Sequence, residues 1–167
     1  MAAGILASAI LHEGKWAVAF PIFGPERRGA PVMSFLRFDD VVIRQKTQIY
    51  QPDCLVVLDS RLIYTQDIFA GLKPGGILVV NATSLAEKLY SPNVAVIGLV
   101  DATRLALEEI RVPITNTCMI GAFARTTGWV QLDSLIHSLG ERFSGKVLEG
   151  NISCLKRGFE ETRIIEC

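Results

Sequence analysis

A loop reading GPERRGAP, residues 24–31, holds the most concentrated chemistry in the chain. It sets Glu26, Arg27 and Arg28 among Gly24, Pro25, Gly29 and Pro31. Proline fixes its own φ and glycine takes turns that other residues refuse, so this backbone is rigid and sharply turned. Paired guanidinium forks on such a frame suit carboxylates and phosphates, gripped bidentately where geometry allows. Charges in an ordinary connecting loop are usually solvated. Here they lie between Phe20-Pro21-Ile22-Phe23 and Val32-Met33, which fits an interface or an anion pocket better than free solvent.

A second set of polar residues follows apolar runs. Asp59-Ser60, Asn81 with Thr83, and Asp101 each come just after such a run. In open α/β sheets, ligands bind outside the carboxyl ends of the strands, so these groups form a candidate rim. Asn116 joins them as a further candidate. The plainer alternative is that Asp59, Thr83, Asp101 and Asn116 cap the helices that follow, as such residues commonly do.

Other catalytic material is scarce. The chain has two histidines, His12 and His137. His12 falls near the end of the first helix, where the dipole favours a cation, and His137 lies off the apolar face of its helix; both are read as surface groups. The four cysteines, Cys54, Cys118, Cys154 and Cys167, show no CxxC spacing and no neighbouring histidine pair. A metal or iron–sulfur site on this chain alone is not expected. Cys54 reads as core and Cys167 as an exposed thiol. No nucleophile elbow, HExxH, complete phosphate loop or paired carboxylates occur, so no catalytic residue is assigned to this chain.

The elements that must position these residues alternate. Lys15–Pro21 and Pro31–Phe38 read as extended runs, and Cys54–Leu58, Gly76–Val80 and Val94–Gly98 as short apolar strands bounded by turn residues. Near-continuous apolar strands belong to sheets covered on both faces. Helical patterns are expected over Arg61–Leu72 and Thr83–Leu89. The last third is helical. Leu132, Leu135, Ile136, Leu139 and Phe143 share one helix face, and Leu148, Ile152, Leu155 and Phe159 share another. Before them, a helix from Asn116 to Thr127 stops at Gly128, and its Gly121, Ala122 and Ala124 invite close packing. The expected fold is α/β: a single Rossmann-like domain over residues 1–167, with a mostly parallel sheet flanked by helices and a helical C-terminal third.

Composition narrows the class. The chain has 167 residues, half of them hydrophobic, and balances 17 basic against 17 acidic residues. Mean hydropathy is +0.35, which excludes intrinsic disorder. Zero net charge gives no electrostatic pull towards nucleic acid or an anionic membrane. It also protects poorly against association, so the surplus apolar surface is expected to meet partner chains. No run approaches the roughly 20 apolar residues of a membrane span, and no signal peptide is recognisable; a cytoplasmic subunit is expected.

The run PIFGPERRGAPVMSFLRFDD, residues 21–40, resembles the signature of the gamma subunit of pyruvate:ferredoxin oxidoreductase and its 2-oxoacid relatives. The resemblance extends to GILASAILHEGKWAVAF, to NTCMIGAFARTTGWVQLDSL and to KVLEGNISCLKRGFE, where Asn151 and Gly158 match family positions. It implies a complex that oxidatively decarboxylates a 2-oxoacid with coenzyme A and reduces ferredoxin. Thiamine diphosphate and iron–sulfur clusters would sit on partner subunits of alpha, beta and delta type. The gamma part would pack on them and help enclose the coenzyme A side, with Gly24, Glu26, Arg27, Arg28 and Gly29 at that contact. RRGAP leans towards pyruvate; oxoisovalerate, oxoglutarate, indolepyruvate or oxalate are the alternatives, as is a stand-alone α/β nucleotide-binding module. Family members usually open with a strand and a GxGGQG loop, whereas this chain begins at Met1-Ala2-Ala3-Gly4 within the first helix. The phosphate nest of that loop is therefore not carried over, and an upstream strand in the natural polypeptide is expected.

Overall fold

A computed structural model describes residues 1–22 and 32–167. The candidates Gly24, Glu26, Arg27, Arg28 and Gly29 lie outside the described residues. The first helix, α1 (Ala2–His12), is apolar on most of its surface and buries Ile5, Leu6, Ala7, Ala9 and Ile10. It ends where Gly14 takes a φ of +80°, a conformation that glycine adopts without a Cβ clash. Strands β1 (Trp16–Ile22) and β2 (Met33–Asp39) then pair antiparallel, from Trp16 opposite Asp39 to Ile22 opposite Met33.

The main sheet has the order β3-β4-β5-β6, formed by Cys54–Val57, Gly76–Asn81, Val94–Val100 and Arg163–Glu166. The β3–β4 and β4–β5 pairings are parallel, and β6 closes one edge antiparallel to β5. Side chains alternate across a strand, and the sheet accordingly feeds two cores. Cys54, Val56, Ile77, Val79 and Val100 point to the larger one, while Leu55, Val57, Leu78, Val80, Ile97 and Leu99 point to the smaller. The α/β class with a helical C-terminal part holds.

The larger core is built by α1, α3 (Ala102–Ile110), α4 (Asn116–Thr127), α5 (Leu132–Gly140) and α6 (Gly145–Glu161). The central helix, α4, buries every residue from Thr117 to Ala124. Its small residues do what their pattern suggests. A Cβ on Gly121 would strike the Leu155 carbonyl, and one on Gly158 would strike the Cys118 carbonyl, so α4 and α6 cross backbone to backbone. At the same crossing the buried Thr117 hydroxyl donates to Asn151 Oδ1 at 3.1 Å, and Asn151 Nδ2 donates to the Val147 carbonyl at 2.8 Å.

The opposite face of the sheet differs from expectation. Only α2 (Leu62–Thr65) forms within Arg61–Leu72, because Gln66 is extended and the Asp67 carboxylate takes the Phe69 N–H in a local turn. Thr83–Leu89 yields a single 3-10 turn at Glu87–Leu89, after an extended Ala86. Ile63, Leu72 and Leu89 still fill the smaller core, from the short α2, a turn and the 3-10 turn in that order. Strand β6, at the end of the helical third, was not anticipated. No helix among the described residues is long and apolar enough to cross a membrane.

Candidate functional site

Alternation along the β1–β2 hairpin gives it two unlike faces. Ala17, Leu36 and Phe38 turn inward against the larger core, where the Phe38 ring lies 5.7 Å from that of Trp129. Trp16, Val18, Phe20 and Ile22 share the other face with Met33, Phe35 and Arg37. Phe20 and Phe35 stack there with ring centroids 5.5 Å apart, and Trp16 and Met33 are each 49% exposed. Among the described residues, none of these apolar side chains joins either core. In the sequence, Ile22 and Met33 are separated by residues 23–32, which include Arg27 and Arg28. A half-exposed aromatic patch of this kind has the composition of a protein interface.

Arg37 secures the patch from the side. Its Nη2 donates to the carbonyls of Thr47 and Gln48 at 3.1 and 3.2 Å, tying the segment after β2 back onto the hairpin, while its buried Nε has no partner among the described residues. A cavity of about 370 Å³ opens beside it, lined by Gln48, Tyr50 and Lys73 among others. Lys73 Nζ is paired with Asp53 at 2.8 Å.

The rim expected at the strand ends is assembled only in part. Thr83 and Asp101 line a shared open cavity of about 320 Å³ with Arg104, Glu161 and Arg163. Asn81, at the end of β4, is fully engaged in structure. Its Nδ2 donates to the Leu58 carbonyl and to Thr103 Oγ1, both at 2.9 Å, and its Oδ1 accepts the Thr103 N–H at 3.3 Å. Asp101 caps α3 by accepting the Arg104 N–H at 3.0 Å. Thr83 caps no helix; its carbonyl accepts from Arg163 Nη2 at 3.4 Å. Asn116 neither lines the cavity nor caps α4, whose N-cap is Thr115; it is the first helical residue instead.

Five charged residues that no sequence motif groups together converge beside this cavity. Arg104 pairs with Glu108 at 3.1 Å and with Glu161 at 2.7 Å. Arg157 pairs with Glu108, Glu109 and Glu161 at 2.6, 2.8 and 2.7 Å. The bonds from Arg157 and Arg104 hold the Glu108 carboxyl below its ordinary range. Burial opposes ionisation of Glu161, but the same two arginines outweigh it and its pKa is also lowered. Two of these pairs, Arg104 with Glu108 and Arg157 with Glu161, follow the i,i+4 rule and were legible; the links between helices were not. With every cation and anion matched, the network staples α3 to α6 and offers no free acid or base.

The cysteines do not form a cluster-binding set. Cys118 and Cys154 meet in the core between α4 and α6, whereas Cys54 lies in β3 and Cys167 is exposed at the end of the chain. The Cys118 thiol is pushed up by its hydrogen bond with Cys154 and by burial, and burial pushes the Cys54 thiol up to about 12. No three of these thiols converge among the described residues, whereas a cluster held by this chain would need several converging thiolates.

The chain matches the pyruvate ferredoxin/flavodoxin oxidoreductase family over residues 1–161. It is 51% identical to the gamma subunit of NADH-dependent phenylglyoxylate dehydrogenase from Aromatoleum evansii, over 98% of this chain and 87% of that one. It is 49% identical to the common gamma subunit of the pyruvate/ketoisovalerate oxidoreductases of Thermococcus kodakarensis, over 99% and 91% of the two chains. The crystal structure of the PORC subunit of pyruvate oxidoreductase from Thermotoga maritima superposes with a TM-score of 0.85 at 36% identity, covering 99% of this chain and 90% of that one. A match over nearly the whole chain, in sequence and in fold, shows that this protein belongs to the pyruvate ferredoxin/flavodoxin oxidoreductase family and is of its gamma-subunit type.

Proposed function

We propose that this chain is the gamma subunit of a cytoplasmic complex that converts a 2-oxoacid and coenzyme A to an acyl-CoA and carbon dioxide, passing the electrons to ferredoxin. The observation that carries this reading is the outer face of the hairpin. Trp16, Phe20, Met33 and Phe35 form an apolar patch that joins neither core among the described residues. Partner subunits cover this face, and Arg27 and Arg28 grip a carboxylate of those subunits or the phosphates of coenzyme A. Thiamine diphosphate and the iron–sulfur clusters belong to the partners in this reading, supported by the lack of any three converging thiols among the described residues. The chain acts as one domain over residues 1–167.

Pyruvate is the favoured substrate, in line with the names of several relatives. The Aromatoleum evansii relative supports a second reading, because it is named for an aromatic 2-oxoacid and for NADH. The Thermococcus relative is named as common to pyruvate and ketoisovalerate enzymes, so in that organism one gamma chain serves two substrates. By the same logic the other subunits of this complex choose the 2-oxoacid. The test is anaerobic purification through a tag on this chain, followed by assay with pyruvate and with phenylglyoxylate, with and without coenzyme A. Large brown partners and coenzyme A-dependent oxidation of either acid are expected. A lone chain that binds a dinucleotide would overturn the proposal in favour of a stand-alone nucleotide-binding module.

A further inference from the structure

The chain has two histidines, 125 positions apart, and the fold brings both to one carboxylate. His12 ends α1, while His137 and Glu141 stand one helical turn apart at the end of α5. His12 Nε2 lies 2.8 Å from Glu141 Oε1, and His137 Nε2 lies 3.9 Å from the same oxygen. The imidazole rings meet edge to face, centroids 4.5 Å apart. One ligand atom from each residue falls within 4.8 Å of the others. The second carboxylate oxygen, Oε2, accepts the Ser8 hydroxyl at 2.7 Å, which fixes the orientation of the group.

We infer that His12, His137 and Glu141 form a binding site for a divalent cation of the zinc class. Two imidazoles and a carboxylate are a borderline-soft donor set that suits zinc, nickel or copper and does not suit magnesium or calcium. In a tetrahedral site with bonds of about 2.0–2.1 Å, donor atoms stand about 3.3 Å apart. The spacings here bracket that value, so shifts of about an ångström in exposed side chains would admit the ion. Side chains 39, 65 and 44% exposed for His12, His137 and Glu141 leave room for water in the remaining position. The Ser8 bond supplies the outer support that oriented metal ligands usually have. A bound ion would replace the 2.8 Å contact between His12 and Glu141 with a three-point clasp between α1 and α5.

The test is titration of the full chain with zinc chloride at about pH 7.5, where free imidazole is mostly neutral. A Cys167→Ser background removes the exposed thiol as a competing ligand. One zinc per chain is expected. A concentration about a hundred times the dissociation constant should raise Tm by several degrees. His12→Ala, His137→Ala and Glu141→Gln should each weaken binding by about tenfold or more and abolish the Tm rise. His137→Ala is the diagnostic variant, because it leaves the 2.8 Å contact between His12 and Glu141 in place. It should keep the metal-free Tm of the parent and lose only the response to zinc. Zinc binding unchanged in the His12→Ala/His137→Ala double variant, or no binding at millimolar zinc by the folded parent chain, would overturn the inference.

Discussion

The hairpin and the α4–α6 crossing spend their apolar residues in opposite ways. At the crossing, Gly121 and Gly158 let two helix backbones touch, and Cys118, Met119, Cys154 and Leu155 are all fully buried within this chain. On the hairpin, one face serves the same core while the other keeps Trp16 and Met33 half exposed, with Phe20 and Phe35 stacked between them. Among the described residues, the first region is fully packed within the chain and the second leaves one face outside both cores. A gamma-type subunit needs both: a rigid body, and an apolar face whose burial occurs on assembly.

The contrast is broken most severely at Arg27 and Arg28, in the sequence between β1 and β2. Under the proposed function, Arg27→Lys or Arg28→Lys removes a planar fork from a desolvated contact and should weaken assembly or coenzyme A use by about 2–5 kcal/mol. Sedimentation of the complex and the KM for coenzyme A measure it; wild-type values for both would remove the arginines from the interface. Next comes the crossing. Gly158→Val drives a side chain into the Cys118 carbonyl and should cost the chain about 3 kcal/mol of stability in urea unfolding. A stable variant would mean that α4 and α6 can separate without penalty.

Phe20→Ala should show the reverse profile. Truncating a central aromatic of an interface costs about 2 kcal/mol of binding, whereas unfolding of the chain should change little because Phe20 joins no core. Equal losses in unfolding and in assembly would erase the distinction between the two regions. The smallest effect belongs to the staple between α3 and α6. Glu108 and Glu161 have lowered pKa values, so their contribution is present above the ordinary carboxylate value of about 4.3 and is lost as pH falls below it. Thermal unfolding between about pH 5 and pH 3 should therefore fall more steeply for the parent than for Arg157→Met.

Legibility in the sequence tracked how local the determinants were. The strands at 54–58, 76–80 and 94–98 were plain as apolar runs bounded by turns, and the helices α5 and α6 as 3.6-residue periodicities. The small residues of α4 announced a close neighbour. Residues 61–72 misled, because their apolar spacing suits a helix while Gln66 and Asp67 form a local turn. Strand β6 is four residues long and gains its identity only from pairing with β5. Asn81 looked like a rim ligand and proved to be a stitch between Leu58 and Thr103, partners 23 and 22 positions away. Each histidine, taken alone, was correctly placed on the surface. Their meeting at Glu141 depends on the packing of α1 against α5, which no local pattern encodes.

The division between a finished body and an unfinished face is tested most directly by amide hydrogen exchange on the free chain and on the assembled complex. In the free chain, α4 and α6 should already exchange slowly, and assembly should leave them unchanged. The amides of Trp16–Ile22 and Met33–Asp39 should gain protection when the partner subunits bind. Hairpin exchange that is the same in both states, with new protection confined to other surfaces, would contradict the assignment of this face to the interface.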